Sequence, residues 1–199
     1  MAFDERWLQL LPLESPRLVL RRFTRLDAEA FLAYRNDPAV ARFQGWESCS
    51  LAAAAAFVAR QEVQEIGAPG HWLQIAIALK EGGDIIGDCA LKISALDARQ
   101  ATIGITLSRS CQGHGYAYEA LSALLAHVFG RMRLHRVQAD TDPDNTPAWN
   151  LLERLGMRRE GHFRQSLWFK GRWADEYFYA ILRADWLERR NQSPCPLRP

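Results

Sequence analysis

Ten residues, Cys111-Gln112-Gly113-His114-Gly115-Tyr116-Ala117-Tyr118-Glu119-Ala120, carry the most chemistry in the chain. They join an alternating apolar run, Ala101 to Leu107, to a helical one. In the helical run Ala117, Ala120, Leu121, Leu124, Leu125, Val128 and Phe129 recur on one face. The glycines therefore lie in a strand-to-helix turn. The first N–H groups of a helix have no partner within it, and the dipole there is positive. Glycine keeps side chains away, so a phosphate can reach the backbone. The turn reads as a pyrophosphate cradle built from the amides of Gly113, His114, Gly115, Tyr116 and Ala117. The plainer alternative is a glycine-rich turn that only caps a helix.

Elements on either side must hold this turn. Trp72 to Leu79 and Ile85 to Ile93 read as strands joined by a hairpin at Glu81-Gly82-Gly83-Asp84. With strand 101–107 they form an antiparallel meander that ends at the cradle. After the long helix, Arg136 to Asp140 reads as a short buried strand. Strands 101–107 and 136–140 flank a helix, which suits a parallel pair with a right-handed crossover. Asn145 or Thr146 then caps a helix with Pro147 in its first turn and Gly156 at its end.

Two motifs resemble those of one family. Gln112-x-x-Gly115-x-Ala117 is similar to the Q/R-x-x-G-x-G/A signature of the GNAT N-acetyltransferases. Asn145-x-x-Ala148-x-x-x-Leu152-Glu153-Arg154-Leu155-Gly156-Met157 resembles their N-x-x-A/S…L/Y-E-K-L-G-F segment. Ser15-Pro16-Arg17-Leu18-Val19-Leu20-Arg21 and Gly171-x-Trp173-x-Asp175 look like the RimJ/RimL-type branch, whose members acetylate protein N-termini and whose relatives act on small amines. The resemblance spans about Arg17 to Trp186.

The resemblance implies an α/β (α+β) GNAT fold: a central mixed, mainly antiparallel sheet with helices on both faces. It also implies that the two parallel strands splay to admit the pantetheine arm of acetyl-CoA. The reaction would be direct acetyl transfer to a primary amine in a ternary complex. Backbone groups of Ile105 and Leu107 would pair with the arm, and an N–H near Leu107 would stabilise the oxyanion. Gln112 belongs to the cradle, Asn145 and Leu152 to the arm, and Arg154 meets a CoA phosphate or is a solvated helix charge. Phe43, Trp46 and Glu47 are acceptor-site candidates, although both aromatics also suit a core.

Acid and base depart from the family pattern. Thr102 stands where many members have Glu, Leu152 where many have Tyr, and Ala148 where some have Ser. Leu107, Glu119 and Asn145 are the catalytic candidates; the alternative for Glu119 is a residue that merely favours the helix N-terminus. Glu47, Asp88 and Asp175 are open candidates for a water-mediated base. A covalent route through Cys111 lacks a neighbouring base. At neutral pH roughly a tenth of an α-amine is free base, against less than about a thousandth of a lysine amine. A site without a strong base therefore suits an α-amine.

The remaining expectations are plain. At 199 residues, 48% hydrophobic and 24% charged, the chain suits one core. We expect one acetyltransferase domain over 17–188, an N-terminal extension over 1–16 and a flexible tail over 189–199. A net charge of +2 argues against nucleic acid. Cys49, Cys89, Cys111 and Cys195 form no C-x-x-C pair and no metal set, and read as cytoplasmic thiols. The N-terminus has no signal-peptide pattern, and no apolar run nears the roughly 20 residues of a membrane span. Monomer and homodimer both remain open. Competing readings are a small-amine acetyltransferase (aminoglycoside, polyamine or amino acid), a non-catalytic acyl-CoA sensor, and a Rossmann nucleotide domain. Against the last, Tyr118 occupies a fingerprint position that needs Gly or Ala.

Overall fold

The computed structural model describes residues 10–192. Trp7, Leu8, Cys195 and the tail after Gln192 lie outside the described residues. Eight strands form one sheet in the order β1-β2-β3-β4-β5-β6-β8-β7. They are β1 (Leu13–Glu14), β2 (Leu18–Arg21), β3 (Trp72–Leu79), β4 (Ile85–Ile93), β5 (Gln100–Leu107), β6 (Arg136–Thr141), β7 (Arg158–Phe169) and β8 (Arg172–Leu182). Every neighbouring pair is antiparallel except β5 with β6. The helices are α1 (Ala28–Arg35), α2 (Pro38–Ala41), α3 (Leu51–Val63), α4 (Tyr116–Gly130), α5 (Thr146–Arg154) and α6 (Arg183–Gln192). None of the described helices is long and apolar enough to cross a membrane.

Strand alternation sends two apolar sets to opposite faces. Ile75, Ile77, Cys89, Leu91 and Ile103 pack with Leu121, Leu124, Val128 and Phe129 of α4. Ala76, Ala78 and Ile85 face the other way, against Phe23, Phe31, Tyr34 and Val58 from the α1–α3 side. The small alanines let that helical layer sit close to the sheet. Both faces are thus covered, the mixed, mainly antiparallel α/β arrangement that the resemblance implied.

Two boundaries differ from expectation, at the two ends of the domain. The extension over 1–16 is not loose from Leu10 onward: Leu10 is fully buried, and β1 pairs Leu13 with Leu20. A tight turn does this, with Ser15 N–H donating to the Leu18 carbonyl; two residues of strand are too few for alternation to show. A 3-10 turn at Arg25–Asp27 leads into α1, with Thr24 N–H donating to Asp27, and α1 buries Ala28, Phe31, Tyr34 and Arg35. Helix α3 stops at Val63, where Arg22 donates to the carbonyls of Glu62 and Gln64. The flexible tail does not begin at 189: α6 continues through Gln192, and Arg189 donates to the Arg154 carbonyl.

Candidate active site

The site begins where the sheet comes apart. Strands β5 and β6 pair only at Gln100–Arg136, Ala101–Val137 and Thr102–Gln138. Beyond Thr102, β5 keeps pairing with β4 as far as Leu107, while β6 follows β8. Ser94 N–H donates to the Gln100 carbonyl and Ser108 N–H to the Ile86 carbonyl. The alternation of an antiparallel ladder then turns the backbone groups of Ile103, Ile105 and Leu107 away from β4, into the gap. This is an open strand edge inside the sheet.

The glycine turn closes one end of the gap. Gly113 and Gly115 have φ of +79° and +82°, and α4 starts at Tyr116. The first i→i−4 bond of the helix is Glu119 N–H to the Gly115 carbonyl. The N–H groups of Tyr116, Ala117 and Tyr118 precede it and have no helical partner. A cavity of about 450 Å³ lies against them, lined by Ile105, Leu107, Gln112, Gly113, Gly115, Tyr116, Ala117, Asn145 and Arg154 among others. A Cβ on Gly113 would point into open space. Gln112 reaches back, its Nε2 donating to the Leu107 carbonyl, so its side chain braces the turn. Arg154 lies over the Tyr118 ring and has no acidic partner among the described residues. Free amides, an open edge and an uncommitted cation suit the pyrophosphate, pantetheine and phosphate groups of a CoA thioester.

Three of the predicted site residues are not brought to these cavities. His114, expected to offer its backbone amide, is outside the lining; its ring stacks beside Tyr116 and its carbonyl accepts from Arg17. Glu47 is exposed and outside the lining. Glu119 is a clasp: its carboxylate accepts from Ser15 Oγ, Arg17 N–H and Arg17 Nε. Burial raises the Glu119 carboxyl, but those donors outweigh it and hold it below its ordinary 4.5. The clasp's stability is therefore present above about pH 4.5 and lost as pH falls through the lower folded value. Glu119→Gln should cost about 1–2 kcal/mol at pH 7 and flatten the acid limb of a stability–pH curve. Unchanged urea midpoints from pH 7 to pH 3 in both proteins would refute this.

On the α1–α3 side lies a wider cavity of about 760 Å³. Phe43 and Trp46 line it, as do Gln44, Trp72, Gln74 and Trp168. Leu152 lines this cavity and not the smaller one. Phe43, Gln44, Ile105, Thr106, Asn145, Ala148 and Leu151 line both, so the two cavities meet across the gap. Asp88 is buried beneath, accepting from Tyr34 Oη at 2.6 Å and Arg35 Nη2 at 3.1 Å. Burial raises its carboxyl despite these partners. Asp175 accepts from Gln165 N–H and pairs with His162; those bonds hold its carboxyl below the ordinary range. Asp140, Asp142 and Glu176 complete an acidic wall. Sequence reasoning named Asp88 and Asp175 but missed Asp140, Asp142 and Glu176. One signal for Asp140 was present: alternation in β6 buries Val137 and Ala139 and leaves Gln138 and Asp140 on the other face.

A sheet parted beside a phosphate cradle, with a second, wider cavity meeting it across the gap, is the layout of a two-substrate acyl-CoA-dependent transferase. The acetyltransferase (GNAT) domain family matches residues 17–158, and the chain belongs to that family of N-acetyltransferases. It is 29% identical to the Bacillus licheniformis N-acetyltransferase p20 over 87% of this chain and 97% of that protein. It is 32% identical to the ribosomal protein uS5-alanine N-acetyltransferase of Escherichia coli over 44% of this chain and 45% of that one. The structure of Mycobacterium smegmatis RimJ in complex with CoA-disulfide superposes with a TM-score of 0.70 at 25% identity, covering 90% and 93% of the two chains.

Proposed function

We propose that the protein moves an acetyl group from acetyl-CoA to the α-amine of a polypeptide N-terminus, by direct attack in a ternary complex within residues 17–188. The observation that carries this reading is the junction of the two cavities at Ile105, Thr106 and Asn145. An acetyl thioester held from one side would there meet an amine presented from the other, with no need for a covalent relay through Cys111. When bound, acetyl-CoA supplies the activated acyl group. The residues supply placement. Ile105 and Leu107 pair with the pantetheine arm, and the Leu107 N–H faces the oxyanion. Asn145 orients the arm, and Arg154 meets a phosphate. Phe43 and Trp46 flank the acceptor.

The breadth and aromatic rim of the acceptor cavity favour a chain end over a compact metabolite. The activity in the name of the Escherichia coli relative points the same way. One feature favours a second acceptor class: the acidic wall also suits a polyamine. The free thiols at Cys49, Cys89 and Cys111 fit a cytoplasmic setting. The test is kcat/KM at pH 7.5 for peptides with free N-termini, the same peptides blocked but carrying lysine, and spermidine. We expect free N-termini to lead by at least tenfold. A lead for spermidine would replace the first reading with the second, and a lead for lysine would remove both.

A further inference from the structure

We propose that Asp140 is the catalytic base, and that Glu176 beside it receives the acceptor ammonium. The proposal rests on the acetyl-transfer reading above. Asp140 stands at the lip of the gap. Gln138, on the same face of β6, still bonds Thr102 of β5 through Nε2 to Oγ1. Asp140 lies two residues further on, past the last β5–β6 pair. Across the β6–β8 register Asp140 faces Phe178, which puts Glu176 two residues along the same face. Opposite, β5 presents Gly104, which leaves room, and Thr106.

The other carboxylates of the cavity are engaged. Asp88 serves Tyr34 and Arg35. Asp142 accepts from Asp144 N–H and sits 3.5 Å from Arg172. Asp175 holds His162 and Gln165, and Glu176 accepts from Ser166 Oγ with one oxygen. Among the described residues Asp140 has no side-chain partner. A second observation marks the same cavity as built for a polar ligand. Arg35, only 8% exposed, has an unpartnered Nε, and the Gln74 Oε1 atom is buried without a partner. Asp140 is itself exposed, yet the protein packed around it and then the charge of Glu176 raise its carboxyl above the ordinary range, with Lys92 on β4 pulling it down. A raised carboxyl is a better proton acceptor near neutrality.

The proton balance is simple. The acceptor ammonium gives one proton to the Asp140 carboxylate. The freed lone pair forms the C–N bond with the acetyl carbon. The C–S bond breaks, its electron pair stays on the CoA sulfur, and that sulfur takes the second amine proton. Asp140 returns its proton to water.

The test uses Asp140→Asn and Glu176→Gln in the full chain, with thiol release measured from pH 6 to 9.5 on a free-N-terminus peptide and on spermidine. Melting temperature and calorimetric acetyl-CoA affinity serve as controls for folding. We expect Asp140→Asn to lose roughly 10²–10⁴ in kcat with acetyl-CoA affinity unchanged. Its residual rate should climb tenfold per pH unit. Glu176→Gln should shift the acid limb of kcat/KM to lower pH and raise the acceptor KM. An unchanged kcat and pH profile in Asp140→Asn overturns the assignment, as does a rise in KM alone. A wild-type protein that binds acetyl-CoA but acetylates neither probe overturns the transfer reading and the base together.

Discussion

Gly115→Val should weaken acetyl-CoA binding by more than about 100-fold, or roughly 2.7 kcal/mol, while the protein stays folded. Gly115 sits at φ +82°, and a Cβ there would lie 3.5 Å from Arg17 Nη2, an ordinary contact. Packing therefore tolerates the side chain. The backbone does not, since a β-branched residue is strained at positive φ by about 1–2 kcal/mol. The turn would relax toward negative φ and carry the amides of Tyr116 and Ala117 off the phosphate position. A matched control is Gly83→Val in the β3–β4 turn, at φ +77° with nothing within 4 Å. That variant bears the same strain far from the cradle and should bind normally. Calorimetric titration reads both. Affinity within twofold of wild type in a folded Gly115→Val protein would move the phosphate site elsewhere.

Arg35→Met should remove about 3–5 kcal/mol of stability, because it leaves the Asp88 carboxylate buried and opposed only by a tyrosine hydroxyl. The side chains of Arg35 and Asp88 are 9% and 3% exposed, so water cannot replace the lost partner. The guanidinium also stacks on Trp46, 3.5 Å from its centroid, and that contact goes too. A fall in melting temperature on the order of 10 °C follows for a chain of this size. Two further results separate the charge from the packing. Without Arg35, burial pushes the Asp88 carboxyl still higher than in the unfolded chain. The deficit should then be smallest at low pH and grow as pH rises through that raised value. Adding Asp88→Asn should also recover most of the loss. A urea denaturation series that shows less than 1 kcal/mol of cost would mean the pair is not what holds α1 to β4.

The parts of the molecule that sequence made legible share a cause. Strand β4, Ile85–Ile93, and the helix beginning at Tyr116 were readable because residues close in sequence supply their own periodicity and end signals. The gap was legible only through family resemblance, since nothing in Ile103 to Leu107 says that its partner strand departs. Glu119 looked like chemistry and is a clasp, because its partners Ser15 and Arg17 lie about a hundred residues earlier. The acidic wall is the converse. Asp140 and Glu176 are unremarkable residues in β6 and β8 until pairing sets their side chains on one face. Long-range register decides such positions; alternation in β6 tells only which face Asp140 takes, not what it meets there.

The short ladder between β5 and β6 has a thermodynamic corollary. Three paired rows hold the two halves of the sheet at that seam, and the rest of the seam is left for a ligand to supply. A nucleotide thioester that hydrogen-bonds to Ile105 and Leu107 would therefore act as a missing structural member as well as a reactant. Saturation at about 100 times its dissociation constant would add roughly 2.7 kcal/mol to global stability. The amides of Ile105 and Leu107 would pass from rapid to slow hydrogen exchange, reporting how far the enzyme's rigidity is borrowed from its substrate.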